Sequence, residues 1–211
     1  HLSIRRQRQM CIRDRLMAGR LDSMFVAPNT FNYGTYGFVI HEIAEMVALN
    51  MGQYAHGNQP VQHAIYLYNY VGQPWKAQYH TRNVMNKLYN SGPEGYCGDE
   101  DNGQTSAWYV FTALGFYPVC PGASEYVLGS PLFPKATLSL PGEKTFTIDA
   151  EGVSDTNCYI RSAELNAKGF TRNYLKHEEL VGGGEFRLVM DSVPNRERGI
   201  HLEDFPYSYS K

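Results

Sequence analysis

The sequence predicts an α+β protein with more than one domain, in which helices come first and an antiparallel, β-sandwich-like segment follows. Two observations predict this fold class. Apolar residues recur at helical spacing before residue 120, whereas apolar and polar residues alternate after Pro121. The composition is that of a globular chain, because 43% of the 211 residues are hydrophobic and only 19% are charged.

Four helices are predicted in the first part of the chain. Their approximate spans are 38–49, 60–71, 74–89 and 105–114. Proline suits the first turn of a helix, which places starts at Pro60 and Pro74, and glycine suits helix ends, which places a stop at Gly115. A Gly-rich, acidic segment, 91–103, separates the third helix from the fourth. A connection of that length between helices is usually functional.

Five strands are predicted after Pro121, because each segment alternates apolar and polar residues. Their spans are 125–128, 136–140, 144–149, 158–165 and 185–190. Turn-forming sequences such as Pro141-Gly142 separate them.

Charge and hydropathy argue against two classes of function. Residues 1–20 hold six Arg and one acid, Asp14, so the remainder has 13 bases and 20 acids, a net charge of −7, which argues against nucleic-acid binding. No run reaches the roughly 18 apolar residues of a membrane-spanning helix. Residues 1–15 lack the apolar stretch of a signal peptide, and we interpret them as a head foreign to the fold.

The acidic segment ends in three consecutive carboxylates, Asp99, Glu100 and Asp101, just before the fourth helix. In an extended segment, Asp99 and Asp101 would project to the same side. The positive end of the following helix favours ionised carboxylates, which are suited to act as a general base or as cation ligands. The alternative is that these acids only cap the helix.

A second candidate group, His41, Glu42 and Glu45, lies on the first helix. It resembles the zinc-peptidase pattern HExxH, except that Glu45 stands where the second His would be, so a zinc peptidase is a remote alternative. Glu42 and Glu45 belong either to a solvated face or to a group of buried carboxylates.

A third candidate group precedes the second helix. Asn58 and Gln59 supply neutral oxygen donors, which suit Ca²⁺ better than Zn²⁺ and also suit sugar hydroxyls. A plain turn with a helix cap explains them equally well.

Four longer segments, in this order, resemble a known family. They are YGFVIHEIAEM (36–46), GQYAHGNQP (52–60), YLYNYVGQPWK (66–76) and GDEDNGQTSAWYVFTALGFYP (98–118). From about residue 20 to residue 211, the chain resembles the C-terminal third of family 92 glycoside hydrolases. Members of this family are Ca²⁺-dependent, exo-acting α-mannosidases that invert the anomeric centre.

The resemblance implies a fold and a division of the chain. The family joins an N-terminal β-sandwich to an (α/α)₆ barrel, so residues 16–120 would be the last helices of that barrel and residues 121–211 a β-rich segment. The expected substrates are terminal α-mannosides of N-glycans or mannans. The expected location is periplasmic or secreted, as for most of the family.

The resemblance also implies roles for the candidate residues. Inversion needs one group to protonate the glycosidic oxygen and a base to activate water across the sugar ring. Asp101 corresponds to the base, with Asp99 as its alternative or partner. His41 and Glu42 correspond to contacts with mannose in the −1 subsite. The expected calcium ligands are Glu45, Asn58 and Asp101.

One departure limits the expected activity. The family's general acid is a Glu in a Glu-Gly-Asn-(small)-Trp-Gln-Tyr motif, and these 211 residues contain no such motif. We therefore expect the chain to need the missing N-terminal part of the same polypeptide, and to fold poorly and lack useful mannosidase activity alone. The alternative from another class is a non-catalytic carbohydrate-binding or structural module.

Overall fold

The computed structural model describes residues 15–30 and 37–208. Apart from Arg15, the predicted head (1–15) lies outside these residues. The chain forms two compact units, each built from two stretches of sequence. Among the described residues, the first unit comprises 15–30, 37–64 and 84–108, and the second comprises 65–83 and 109–208. The division at residue 120 that the resemblance implies stays a prediction.

The described residues form five α-helices. They are α1 (15–26), α2 (His41–Leu49), α3 (Pro74–Leu88), α4 (Gln104–Leu114) and α5 (His177–Val181). Helix α2 ends at Asn50, whose left-handed backbone (φ 50°) lets its amide donate to the carbonyl of Val47. None of the five helices is long and apolar enough to cross a membrane. The (α/α)₆ barrel stays a prediction.

The prediction of a second α-helix over residues 60–71 is wrong. Its residues form two 3₁₀ helices, Gln59–Val61 and Ala64–Tyr70. The buried amide of Asn69 donates to the carbonyl of Tyr66, three residues earlier, at 3.0 Å, and to the carbonyl of Leu128 at 3.0 Å. Side chains that bond to nearby backbone in this way compete with α-helical hydrogen bonds, which favours the tighter turn.

In the described part of the second unit, eight strands form two sheets. The strands are β1 (Phe116–Tyr117), β2 (Glu125–Leu128), β3 (Lys135–Leu140), β4 (Lys144–Glu151), β5 (Tyr159–Leu165), β6 (Lys168–Gly169), β7 (Tyr174–Lys176) and β8 (Gly184–Asp191). The sheet orders are β1-β2-β7 and β3-β4-β8-β5-β6. All five predicted strands form, whereas β1, β6 and β7, each of two or three residues, were not predicted.

The expectation of an antiparallel segment is wrong at one pair of strands. Strands β4 and β8 run parallel, with Phe146 opposite Gly184 and Ile148 opposite Phe186. Alternation of apolar and polar residues reports which face of a strand is buried, but it carries no information about the direction of the neighbouring strand.

The two sheets share one hydrophobic core. Phe146, Ile148 and Ala150 of β4 alternate with exposed or half-buried residues, and they are at most 1% exposed. Phe116, Leu128 and Leu175 of the smaller sheet belong to the same cluster.

Candidate functional site

The candidate site lies in the first unit, where the start of α2 meets the acidic segment. The His41 Nε2 atom is 3.8 Å from the Asp99 Oδ2 atom, and its Nδ1 atom is 3.5 Å from the Glu42 Oε2 atom. The side chains of His41 and Asp99 are 67% and 72% exposed. The structure therefore brings three predicted site residues together at a solvent-accessible position.

Glu45, one turn further along α2, lies against two glycines. A Cβ atom built on Gly57 or Gly98 would come within 2.9 or 3.0 Å of the Glu45 Oε2 atom. Burial raises the pKa of Glu45, and the carboxylates of Asp99 and Glu42 raise it further, while His41 opposes them. The carboxylates of Glu42, Glu45 and Asp99 thus share one corner with the His41 imidazole.

Glu100 is the acid that caps α4. Its carboxylate accepts hydrogen bonds from the backbone amides of Gly103 at 2.6 Å and Ser106 at 3.3 Å. Hydrogen bonds from the Ser106 hydroxyl and the Gly103 amide lower the pKa of Glu100. The capping explanation therefore holds for Glu100, and it leaves Asp99 and Asp101 for other roles.

Asp101 occupies a turn rather than an extended segment. Its φ of 50° and that of Asn102, 56°, are left-handed, and its carbonyl accepts the amide of Gln104 at 3.2 Å. The expectation that Asp99 and Asp101 project to one side required extended backbone, and it fails at Asp101. Within the described residues, no hydrogen bond or ion pair joins the exposed Asp101 carboxylate to His41 or Asn58.

Asn58 precedes the first 3₁₀ helix. Its backbone is extended (φ −96°, ψ 110°), and its side chain makes no capping hydrogen bond to that helix. Its amide donates to the carbonyl of Ala55 at 2.9 Å, which closes the turn. The capping explanation therefore fails for Asn58.

A polar network behind the acidic segment was missed by the sequence analysis. The hydroxyl of Thr105, which is completely buried, donates to the Asp99 carbonyl at 3.0 Å. Gln59 Nε2 donates to the same carbonyl at 2.9 Å. Gln62, also completely buried, donates to the Thr105 hydroxyl at 3.4 Å and accepts from Gln104 at 3.3 Å. A Thr at a predicted helix start was the available sequence signal.

His56, from the segment that supplies Asn58, lies inside the first unit. Its Nδ1 atom is 2.7 Å from the Tyr54 hydroxyl, and its Nε2 atom is 2.8 Å from the Tyr89 hydroxyl. Its ring meets the Trp108 ring edge-on, with centroids 4.2 Å apart. Burial lowers the pKa of His56 to about 3, so the imidazole is neutral near pH 7 and has a structural role.

The described residues contain no group of three or more His, Cys, Asp and Glu side chains arranged to hold a metal ion. Calcium also uses amide and backbone oxygens, which that combination leaves out. The donors that the structure brings near one another are the carboxylates of Glu42, Glu45 and Asp99.

Comparison with known proteins identifies the general class of protein to which this chain belongs, and then its family. The model of the glycosyl hydrolase family 92 catalytic domain matches residues 13–192, well over half of the chain. The chain is therefore a glycoside hydrolase sequence. It belongs to family 92.

Individual relatives agree with this assignment. The GH92 inverting mannosidase BT2199 from Bacteroides thetaiotaomicron VPI-5482 is 73% identical, with a TM-score of 0.80 over 94% of this chain and 27% of that one. The GH92 α-mannosidase BT3965 from Bacteroides thetaiotaomicron is 33% identical, with a TM-score of 0.79 over 92% of this chain and 24% of that one.

A third relative comes from a fungus. An uncharacterized secreted glycosidase from Arthroderma benhamiae (strain ATCC MYA-4681 / CBS 112371) is 29% identical over 72% of this chain and 22% of that protein. The chain thus spans about a quarter of the length of the relatives that it matches.

Proposed function

We propose that this chain is the C-terminal part of an inverting, calcium-dependent exo-α-mannosidase, in which it supplies the general base and part of the metal site and the −1 subsite. The observation that carries the proposal is the approach of His41 to Asp99, which joins two segments characteristic of the family at one accessible corner. The names of BT2199 and BT3965, a mannosidase and an α-mannosidase, support the substrate class.

The base belongs to the pair Asp101 and Asp99. Asp101, the first choice, has an exposed carboxylate that is free to accept a proton from water on the far side of a bound sugar. Asp99, its partner or alternative, faces His41. His41 and Glu42 would contact the mannose hydroxyls at the −1 subsite.

The carboxylate corner fits a calcium ion. Glu45 loses solvation on burial and is repelled by Asp99 and Glu42, and a divalent cation would relieve both costs. The two glycines beside its Oε2 atom leave the carboxylate closely surrounded by backbone. Of the ligands that the resemblance implies, Glu45, Asn58 and Asp101, Glu45 lies in this corner, where Asp99 and Glu42 are the neighbouring carboxylates. Bound calcium would polarise the sugar hydroxyls and favour a flattened ring.

The remaining parts of the proposal concern substrate, partner and location. The substrate is a terminal α-mannoside of an N-glycan or mannan. The general acid would come from an N-terminal part of the same polypeptide, in keeping with a chain that spans about a quarter of its relatives. The name of the fungal relative, a secreted glycosidase, supports a secreted or periplasmic location.

A chimera tests the proposal. This chain replaces the matching segment of BT2199, whose 73% identity makes the junctions compatible. We expect Asp101→Asn or Asp99→Asn to lower kcat on α-mannobioses by about 100-fold or more, the usual contribution of a general base. The exposed Glu143→Gln serves as the control. NMR of the first-formed product should show β-mannose, and EGTA should abolish activity until Ca²⁺ is restored.

The competing function is a non-catalytic carbohydrate-binding or structural module. It predicts that both Asp variants of the chimera hydrolyse α-mannobioses as fast as the parent. That result would overturn the proposed catalytic role and leave the family membership intact.

A further inference from the structure

We propose that Thr105, with Gln59, is a positioning residue that fixes the backbone at Asp99 and so holds the Asp99 carboxylate toward His41. This inference rests on the proposed function, because it assigns a purpose to the orientation of Asp99. The hydrogen bonds that Thr105 and Gln59 donate to Asp99 reach its backbone carbonyl and not its carboxylate. Both act through the carbonyl group of Asp99.

The Asp99 carbonyl receives two donors from different segments. Gln59 approaches from the turn that follows Asn58, at 2.9 Å, and Thr105 approaches from the first turn of α4, at 3.0 Å. The Thr105 amide also donates to the Glu100 carbonyl at 3.2 Å. These bonds restrain consecutive peptide groups, and they thereby fix the position and direction of the Asp99 Cα–Cβ bond, from which the carboxylate extends.

The Thr105 hydroxyl is the centre of the network. It donates one hydrogen bond, to Asp99, and accepts from the Nε2 atoms of Gln59 and Gln62, each at 3.4 Å. A hydroxyl has one donor and two acceptor positions, so the Thr105 hydroxyl is fully used. Buried networks with every member satisfied hold a single geometry.

The network is needed because Asp99 has few other restraints. Its side chain is 72% exposed, and its distance of 3.8 Å from His41 exceeds that of a direct hydrogen bond. A Gly-rich segment samples several backbone conformations unless hydrogen bonds fix it, and each conformation would aim the Asp99 Cα–Cβ bond differently. The two donors to the carbonyl limit that sampling from the buried side.

The test compares two buried threonines of α4 in the BT2199 chimera. Thr105→Val keeps the side-chain shape and removes the hydroxyl. Thr112→Val is the matched control, because Thr112 is equally buried and bonds to the Tyr66 hydroxyl at 2.7 Å, away from the network. We expect Thr105→Val to lower kcat by about 10-fold or more with KM changed less than about 2-fold. Thr105→Ser should restore kcat to within about 3-fold of the parent.

Two results with the threonine variants overturn the inference. One is an unchanged kcat in Thr105→Val, and the other is an equal loss of kcat in the Thr105 and Thr112 variants, which would indicate a general structural effect. If Thr105→Val does not fold, Gln59→Met decides the question. It removes one of the two donors from a half-buried position and should lower kcat by about 3-fold or more. An unchanged kcat in that variant also overturns the inference.

The failure of this inference is distinguishable from failure of the proposed function. Asp99→Asn and Asp101→Asn are measured in the same chimera. If they abolish hydrolysis while the Thr105 and Gln59 variants match the parent, only the positioning role is wrong. If both Asp variants retain full activity, the proposed catalytic role fails as well.

Discussion

The buried His56 should make the stability of the first unit depend on pH. Its side chain has no exposed surface, and burial holds its pKa at about 3 in the folded state, against an ordinary value of about 6.5. At pH values between about 3 and 6.5, His56 is protonated in the unfolded chain but neutral in the folded chain. The free energy of unfolding contributed by this group is therefore complete above pH 6.5 and falls as the pH decreases toward 3.

The magnitude follows from the two pKa values. Below pH 6.5 the loss approaches about 1.4 kcal/mol per pH unit, which amounts to about 2 kcal/mol between pH 7 and pH 5. The carboxylates of the chain add their own pH dependence. A variant that lacks only the His56 titration is therefore needed as the reference.

The assay is urea unfolding, at pH 5, 6 and 7, of the fraction of the isolated chain that folds, followed by tryptophan fluorescence. The chain has two Trp residues, and Trp75→Phe leaves Trp108, which packs against His56, as the only reporter. His56→Gln should be less stable at pH 7 and should show a weaker loss of stability toward pH 5. The matched control, exposed His63→Gln, should keep the pH dependence of the parent.

Two observations would refute this reasoning. One is a His56→Gln variant whose stability changes between pH 7 and pH 5 as much as that of the parent. The other is an imidazole resonance of His56 that titrates near pH 6.5 in the folded protein. Such a titration would mean that the His56 ring is not buried and hydrogen-bonded between the Tyr54 and Tyr89 hydroxyls.

Three further predictions concern other parts of the chain. Arg82→Met should lower the free energy of unfolding by about 3 kcal/mol or more, because the buried guanidinium donates to the Pro131 and Ser154 carbonyls at 2.6 and 2.9 Å. Thermal unfolding measures this loss, and the exposed Arg161→Met is the control. Gly184→Ala should lower the free energy of unfolding by about 1–3 kcal/mol, because φ is 129° and a Cβ would overlap Asn166. Gly169→Ala, where a Cβ meets open space, should be nearly neutral in the same thermal unfolding assay. The isolated 211-residue chain should not turn over α-1,2-mannobiose, and turnover that exceeds the buffer blank would contradict the assignment of the general acid to a separate segment.

Local signals in the sequence were sufficient for helices α3 and α4. Helix α4 was predicted to within one residue, because Gly115, with a φ of 99°, ends it. Helix α3 begins at Pro74 as expected. The prediction of the second helix was wrong because it relied on the helical period alone. The buried Asn69 amide donates to the nearby Tyr66 carbonyl and to the distant Leu128 carbonyl, and these bonds compete with an α-helix.

The geometry of the acidic segment was predictable only in part. The sequence Asp101-Asn102-Gly103 is a turn signal, since Asp and Asn tolerate left-handed backbone and Gly prefers it. That signal argues against the extended segment on which a common direction for Asp99 and Asp101 depended. The approach of Asp99 to His41 depends instead on contacts between segments far apart in sequence, which spacing alone does not encode.

The hydrogen bonds around Thr105 explain why the site residues could be predicted from the sequence, whereas the residues that position them could not. Carboxylates and histidines at a loop or a helix start attract attention because their chemistry is visible in the sequence. A neutral polar side chain gains its role here from a partner at least 40 residues away, as Gln62 does from the Thr105 hydroxyl and Gln59 from the Asp99 carbonyl. Amides and hydroxyls that hold such a backbone have no period and no charge pattern. The supports of an active site are therefore found only once the segments that carry the reacting groups have been placed in space.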